Sequence, residues 1–406
     1  MNTAPSPARG WYADGYQAVA EVFATQLARG EEIGAGLSVY RRGEPVIDLW
    51  GGVADRAEGV AWERDTRIVV FSVTKGLAAM GFHLLADRGQ LDWQTPVAEV
   101  WPGFAKHGKD RITIEQLLCH RGGLPFLDAR LTLADCVDPA NADRIRTILE
   151  DQRPAWSPGT DQGYHALTFG MYASELFARL AGEPLGPFLH RELFEPLGSD
   201  ARLGTPAALD PKVARLYSPS PPRRALHMIS RVVSAPRSTE ARVLRQALRR
   251  DSINRKAFMV PGTGPAGIHA YNDVAVRRAE LAWASATASA DGIARAYLPF
   301  ANRGEHDGRR FFADAILEGA KRRISWSTRD RVLQKPLGWS RGFLKEQRHL
   351  FSPHAESFGH AGMGGALGWC DPVEGLTFGY VMNRMDWRVR SPRCVALCRA
   401  LYASPT

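Results

Sequence analysis

The sequence predicts a mixed fold, α/β plus all-α, with one antiparallel sheet assembled from both ends of the chain and a helical domain inserted between them. Three observations carry this. Strand-like runs occur early, at 35–40 and 45–50, and again late, between Leu337 and Met382. The stretch from about 76 to 300 instead has helical periodicity broken by Pro and Gly loops. A serine and a lysine three positions apart, Ser72 and Lys75, stand where the first region gives way to the second.

Taken in chain order, residues 13–28 read as an amphipathic helix with Tyr16, Val19, Val22, Phe23 and Leu27 on its apolar side. The two early strands flank Arg42-Gly43-Glu44, a hairpin turn. Residues 67–71 make a short β-rich approach to Ser72, and 76–85 read as a largely buried helix stopped by Gly89. Later strands are expected at 337–344, 357–360, 366–370 and 376–382, with a closing helix at 391–403. The domains implied are 1–75 together with 300–406 for the sheet, and 76–299 for the helices, the latter carrying a basic insertion at 223–256.

A chain of 406 residues, 45% hydrophobic and 23% charged, has the composition of a globular protein of one large or two interleaved domains. No apolar run is long enough to span a bilayer, and Met1–Pro7 lacks a basic stretch leading into an apolar one. The five cysteines are odd in number and without metal-type spacing, and Cys394 and Cys398 at i,i+4 read as buried packing. Together these favour the cytoplasm. The eleven histidines do not cluster at metal-ligand spacing, so neither a metal nor another cofactor is expected. Gly262-Thr263-Gly264-Pro265-Ala266-Gly267 has dinucleotide-like spacing, but Pro265 and the absence of a surrounding βαβ unit make it a loop. No Gly-x-Ser-x-Gly elbow is present, which disfavours an α/β-hydrolase.

The net charge of +9 is concentrated. Residues 223–256 hold ten Arg or Lys (Arg223, Arg224, Arg231, Arg237, Arg242, Arg245, Arg249, Arg250, Arg255, Lys256) against Glu240 and Asp251, nearly the whole excess. Val243, Leu244, Ala247 and Leu248 add a helical apolar stripe. A solvated surface helix explains such a segment. So does a dock for an acidic partner, whether an acyl carrier, coenzyme A or an anionic membrane surface. Nucleic acid is disfavoured, because aromatics do not interleave with the cations.

The chemistry centres on Ser72-Val73-Thr74-Lys75. At i and i+3 of a helix the hydroxyl and the amine share a face one turn apart, the geometry of a nucleophile and its base. Ser72 also opens the helix, where unpaired backbone N–H groups gather. Only eight lysines occur in the chain, and Lys75 is the only one with a serine three positions earlier. The bland alternative is a helix-capping serine beside a solvated lysine. A second element is Gly163-Tyr164-His165-Ala166, after the turn-forming Trp156-Ser157-Pro158-Gly159-Thr160. A tyrosine hydroxyl facing an ammonium can shift toward phenolate and exchange a proton with serine or leaving group. A third is Phe358-Gly359-His360-Ala361-Gly362-Met363-Gly364-Gly365, glycine-dense beside a strand, where backbone approaches a ligand closely.

The three in this order resemble the penicillin-recognising serine hydrolases, the superfamily of class C β-lactamases, DD-peptidases and family VIII carboxylesterases. The resemblance covers roughly residues 15–400, includes Ile112–Pro125 and Phe378–Met385 as context, and implies a β-lactamase/transpeptidase-like fold. It implies Ser72 as nucleophile, Lys75 and Tyr164 as acid–base pair, and the N–H groups of Ser72 and Met363 as oxyanion hole. His360-Ala361-Gly362 matches the position where many members carry Lys-Thr-Gly. Substrate contacts are then expected from His360, Gly362, His165, Trp156 and Trp339. Two departures matter. Lactamases usually have Asn where this chain has Ala166, and Lys where it has His360, and both groups help hold the β-lactam amide and carboxylate. A neutral ester needs neither, so the expected activity is carboxylic ester hydrolysis on a small-molecule substrate. An acyltransferase moving an acyl group from a thioester to an alcohol is the alternative. A β-lactamase or D-amino-acid peptidase, and an inactive binding protein, stand further off.

Overall fold

The early hairpin forms where the alternation places it, as strands Gly34–Arg41 and Glu44–Asp55. Its turn is made by Arg42 (φ 52°) and Gly43 (φ 87°). Two left-handed residues in succession give the turn whose twist matches the strands it joins. In the computed structural model, which describes residues 1–219, 230, 234–345, 350–386, 388 and 390–404, this hairpin lies inside an 11-stranded antiparallel sheet. The order across the sheet is Asn2–Thr3, Arg9–Tyr12, Glu44–Asp55, Gly34–Arg41, Leu376–Met382, Leu367–Asp371, Phe358–Ala361, Leu344–Lys345, Leu337–Trp339 and Ser325–Ser327, with Val60–Ala61 paired to Glu44–Asp55 off this path. The two ends of the chain meet along Gly34–Arg41 and Leu376–Met382, in register from Leu376 opposite Arg41 to Met382 opposite Ala35.

Helices cover both faces. Gly51 faces Leu27 of helix Gln17–Ala28, while Gly36, one pleat away on the neighbouring strand, faces Ala290 of helix Ala290–Ala296. Helix Pro392–Ala403 packs beside the first of these, and Arg393 on it pairs with the buried Glu32 at the start of the sheet. On the other face the helix lies so close that a Cβ at Gly379 would sit 2.0 Å from the Ala290 carbonyl oxygen. Only glycine permits that approach. All five cysteines are free thiols, and among the described residues no helix is long and apolar enough to cross a membrane.

The apolar run at 337–344 does not form one strand. It splits into Leu337–Trp339 and Leu344–Lys345, which pair with each other across a tight turn closed by Ser340 N–H donating to the Phe343 carbonyl (2.9 Å). Gly342 adopts φ 85° and presses on Ala79, so the break is dictated by the helix beneath it. The β-rich approach to Ser72 is reduced to Ile68–Val69, paired with Thr287–Ala288. The glycine loop at 262–267 follows helix Ile253–Lys256 rather than a strand and continues into a 3-10 turn. The basic segment contains helix Thr239–Leu248, capped by the Ser238 hydroxyl, which accepts from Ala241 N–H (3.2 Å). Arg223, Arg224 and Arg231 of that segment lie outside the described residues.

Candidate active site

The chain reaches Ser72 through a sharp change of direction. Val70 N–H still donates to the Ala286 carbonyl (2.9 Å), then Phe71 takes φ 47° and helix Val73–Asp87 begins. A buried non-glycine residue in the left-handed region is strained, and it persists only where its surroundings fix it. Here the Phe71 ring is held edge-on to Tyr271, centroids 5.2 Å apart. Ser72 occupies the N-cap position yet its side chain does not cap the helix. The hydroxyl is turned instead toward two other groups: Lys75 Nζ lies 2.9 Å from Ser72 Oγ, and Tyr164 OH donates to the same oxygen at 2.9 Å.

Lys75 does not reach water. It is fully buried and donates to the Trp283 carbonyl (2.9 Å), with the Tyr164 ring 5.2 Å from the nitrogen. Among the described residues no carboxylate balances it, and burial holds the amine well below its usual 10.5. Tyr164 is pushed the other way. Burial raises the phenol above its ordinary value, the charge of Asp330 adds to this, and the bond to Ser72 opposes it. Both groups are therefore driven toward their neutral forms, so the phenolate considered from the sequence is disfavoured. A neutral amine has a lone pair to accept the serine proton, and a neutral phenol has a proton to donate to Oγ.

Tyr164 is held by groups the sequence reading passed over. Its ring stacks on Trp339, centroids 5.4 Å apart and 3° from parallel, and its backbone N–H donates to buried Asp330 (3.2 Å). Asp330 also accepts from Val332 N–H (2.9 Å) and Leu333 N–H (2.8 Å). Nothing in sequence spacing points to Asp330, which is 166 positions from Tyr164. His120 lies within Ile112–Pro125, and its own part is visible only in the fold. It packs on Trp339 (4.1 Å) and Tyr164 (5.1 Å).

His165 departs from its expected substrate contact. It is fully buried, its Nε2 accepts from Leu124 N–H (2.9 Å), and its Nδ1 faces His120 Nδ1 at 3.2 Å. Both ring nitrogens are engaged in holding the loop beneath Tyr164, and burial lowers its pKa to about 3. Trp339, 1% exposed, likewise backs Tyr164 rather than forming an open wall. Trp156 is half-buried, with its indole N–H on the Asp161 carbonyl (3.2 Å) and its ring against Gly163, the residue before Tyr164.

The glycine-rich segment comes to Ser72 from the sheet. His360 lies over Gly76 of the Ser72 helix, where a Cβ would meet the His360 Cβ at 3.2 Å. Its Nδ1 is 2.9 Å from the Ala361 carbonyl, which can only accept, so Nδ1 carries the proton and Nε2 is a bare acceptor, buried without a partner. Burial, with the nearby Lys75 and Lys335 charges, lowers its pKa to about 3. The residue at this position is thus a neutral acceptor. Gly362 is a spacer: its N–H donates to Ala366 (2.7 Å) and its Cα abuts the Val70 carbonyl, where a Cβ would be 2.4 Å away. Gly365 N–H closes the same turn on the Gly362 carbonyl (3.2 Å), and Met363 between them is 43% exposed. The turn is therefore seated against the segment that delivers Ser72.

The family model called Beta-lactamase matches residues 19–396. The chain belongs to this family. It is 34% identical over 374 residues to the esterase/beta-lactamase LipL of Mycobacterium tuberculosis, covering 91% of this chain and 81% of that protein. Among solved structures it superposes on a family VIII carboxylesterase with a TM-score of 0.84 and 33% identity, over 98% of this chain and 99% of that one. A penicillin-binding protein homologue from Caulobacter crescentus gives the same TM-score and identity, over 98% and 100% of the two chains. The protein is a serine hydrolase of the β-lactamase fold.

Proposed function

We propose that the protein hydrolyses carboxylic esters of uncharged acids through an acyl-enzyme on Ser72. The observation that carries this is the Ser72 oxygen lying 2.9 Å from both an amine and a phenol that burial drives toward their neutral forms. In acylation Ser72 Oγ attacks the ester carbonyl carbon while its proton passes to Lys75 Nζ, so the new C–O bond forms as the amine becomes ammonium. The carbonyl π electrons move to oxygen, and the resulting oxyanion is held by the N–H groups of Ser72 and Met363. Collapse of the tetrahedral adduct breaks the bond to the alcohol oxygen, which takes a proton from Tyr164 OH. Lys75 then reprotonates Tyr164, leaving both neutral. Water repeats the sequence on the acyl-enzyme and restores the Ser72 hydroxyl.

The ester preference is supported by the two positions at which this chain departs from the lactamase pattern. Ala166 offers no amide, and His360 offers a neutral acceptor in place of a fixed cation. A β-lactam would find neither the amide nor the charge that the family's lactamase pattern supplies. The esterase and carboxylesterase names of the relatives agree with this reading.

The test is hydrolysis of short-chain p-nitrophenyl esters by wild type and Ser72→Ala, with a chromogenic cephalosporin alongside. Wild type should turn over the esters far faster than the cephalosporin, and Ser72→Ala should lose ester turnover while still folding, because Ser72 caps nothing and only its bonds with Lys75 and Tyr164 are lost. Near-normal ester turnover by Ser72→Ala would refute the assignment.

A further inference from the structure

The described part of the basic segment presents cations and large apolar side chains together. Residues 234–260 carry six Arg and one Lys against Glu240 and Asp251, a net charge of +5. Leu248 is 70% exposed, Phe258 48% and Met259 52%, three of the eight exposed large hydrophobics among the described residues. Elsewhere such residues are scattered singly, as on any soluble surface.

The segment is anchored to the body of the protein at several points, while Leu248, Phe258 and Met259 stay exposed on it. Arg242 donates to the Gln334 carbonyl through Nε (3.3 Å) and an Nη (3.1 Å), and Asn254 Nδ2 donates to the Val332 carbonyl (2.6 Å). Arg245 donates to the Pro236 carbonyl, Lys256 pairs with Asp128 and covers the Phe126 ring, and Arg255 Nε donates to Met259 Sδ. Arg249 and Arg250, next to Leu248, are exposed at the end of helix Thr239–Leu248.

We propose that residues 237–259 dock the enzyme onto an anionic lipid bilayer, Arg249 and Arg250 meeting the headgroups while Leu248, Phe258 and Met259 enter the interface. Charge complementarity selects an anionic surface. The apolar side chains select a bilayer over an acidic protein or a soluble nucleotide, because inserting Leu, Phe and Met removes them from water, whereas a purely anionic surface leaves them wet. Neither a modest charge patch nor a few apolar side chains holds a protein to a membrane alone, and the two signals occur here on one segment. This rests on the ester reading only in giving it a purpose, since bilayer-dissolved esters would meet an enzyme already at their surface. The anchor also sits on the 330–334 segment that holds Tyr164, through Asp330.

The test uses the full chain carrying Ser72→Ala, so that binding is read apart from catalysis, and cosedimentation with phosphatidylcholine vesicles with and without phosphatidylglycerol. Binding is expected only to the anionic vesicles, weakening with salt. Reversing Arg249 and Arg250 to Glu should weaken it by about 10-fold or more, and Leu248→Ser with Phe258→Ser and Met259→Ser should weaken it at unchanged charge. In an otherwise wild-type chain neither set should alter turnover of a soluble short-chain ester, which checks folding. No anionic-vesicle binding, equal binding to neutral vesicles, or binding indifferent to both variant sets would overturn the proposal. Capture of an acidic carrier protein without vesicle binding would overturn it in favour of that partner. Failure of the Ser72 assignment would leave the vesicle result untouched.

Discussion

Tyr164→Phe removes one hydroxyl and almost nothing else. The ring remains stacked on Trp339 at 5.4 Å and packed against His120 at 5.1 Å, and the backbone N–H still reaches Asp330. What disappears is the 2.9 Å bond to Ser72 Oγ. One such bond contributes about 1 kcal/mol to folding, and burying the phenol offsets part of it, so the variant should unfold close to wild type. Its activity should fall much further. A positioned acid–base group accounts for about 10²–10⁴ in rate, or about 3 to 5 kcal/mol of barrier. The assay is kcat/KM on a p-nitrophenyl ester and on the ethyl ester of the same acid. If Tyr164 protonates the departing oxygen, the loss is larger for the ethyl ester, because ethoxide needs that proton and p-nitrophenolate does not. Activity within about 3-fold of wild type on both esters would refute the role. Equal losses on both would move Tyr164 from leaving-group protonation to holding the nucleophile.

Lys75→Met should abolish turnover while easing folding, since it replaces a fully buried amine without a counter-charge by an apolar chain of similar length. The sign follows from linkage. Because the folded amine lies below its usual 10.5, the unfolded chain holds the proton more tightly, so this group lowers stability as pH falls from 10.5 toward the folded value and leaves it flat above 10.5. Thermal unfolding followed against pH should lose that contribution in Lys75→Met. For the wild type, kcat/KM should rise with pH through one ionisation as Lys75 becomes neutral, with no limb from His360, held at about 3, and no alkaline decline below pH 10, Tyr164 being raised above its usual value of 10. An alkaline decline near neutrality in the wild type would reverse the acid–base assignment, because it would make the ammonium of Lys75 the working form. Asp330→Ala leaves the N–H groups of Tyr164, Val332 and Leu333 without their acceptor and should cost about 2 to 4 kcal/mol by denaturant unfolding.

Local geometry explains why some of this was legible beforehand. Ser72 and Lys75 meet because residues three apart on a helix face the same way. The hairpin forms because alternating residues need a turn and Arg42-Gly43 supplies one. The run at 337–344 misled because its apolar residues suit a strand, while the bend at Gly342 is imposed by contact with Ala79, 263 positions earlier in the chain. The expected substrate contact of His165 failed because its ring is taken up by His120, 45 positions away in the chain, a pairing that no local pattern records.

By itself the sequence determined the pairing of Ser72 with Lys75 on one helix face, the tyrosine after its Pro-Gly turn, the strands at both termini and the concentration of positive charge. All are local patterns or simple counts. Only the tertiary structure decided how those groups ionise and what supports them. Tyr164 meets Ser72 across 92 positions and Lys75 reaches the Trp283 carbonyl across 208. The shift of Lys75, Tyr164 and His360 toward their neutral forms comes from water excluded by residues drawn from the whole chain. A sequence records which groups can carry a proton, and burial, which exists only once the chain has folded, decides whether they do.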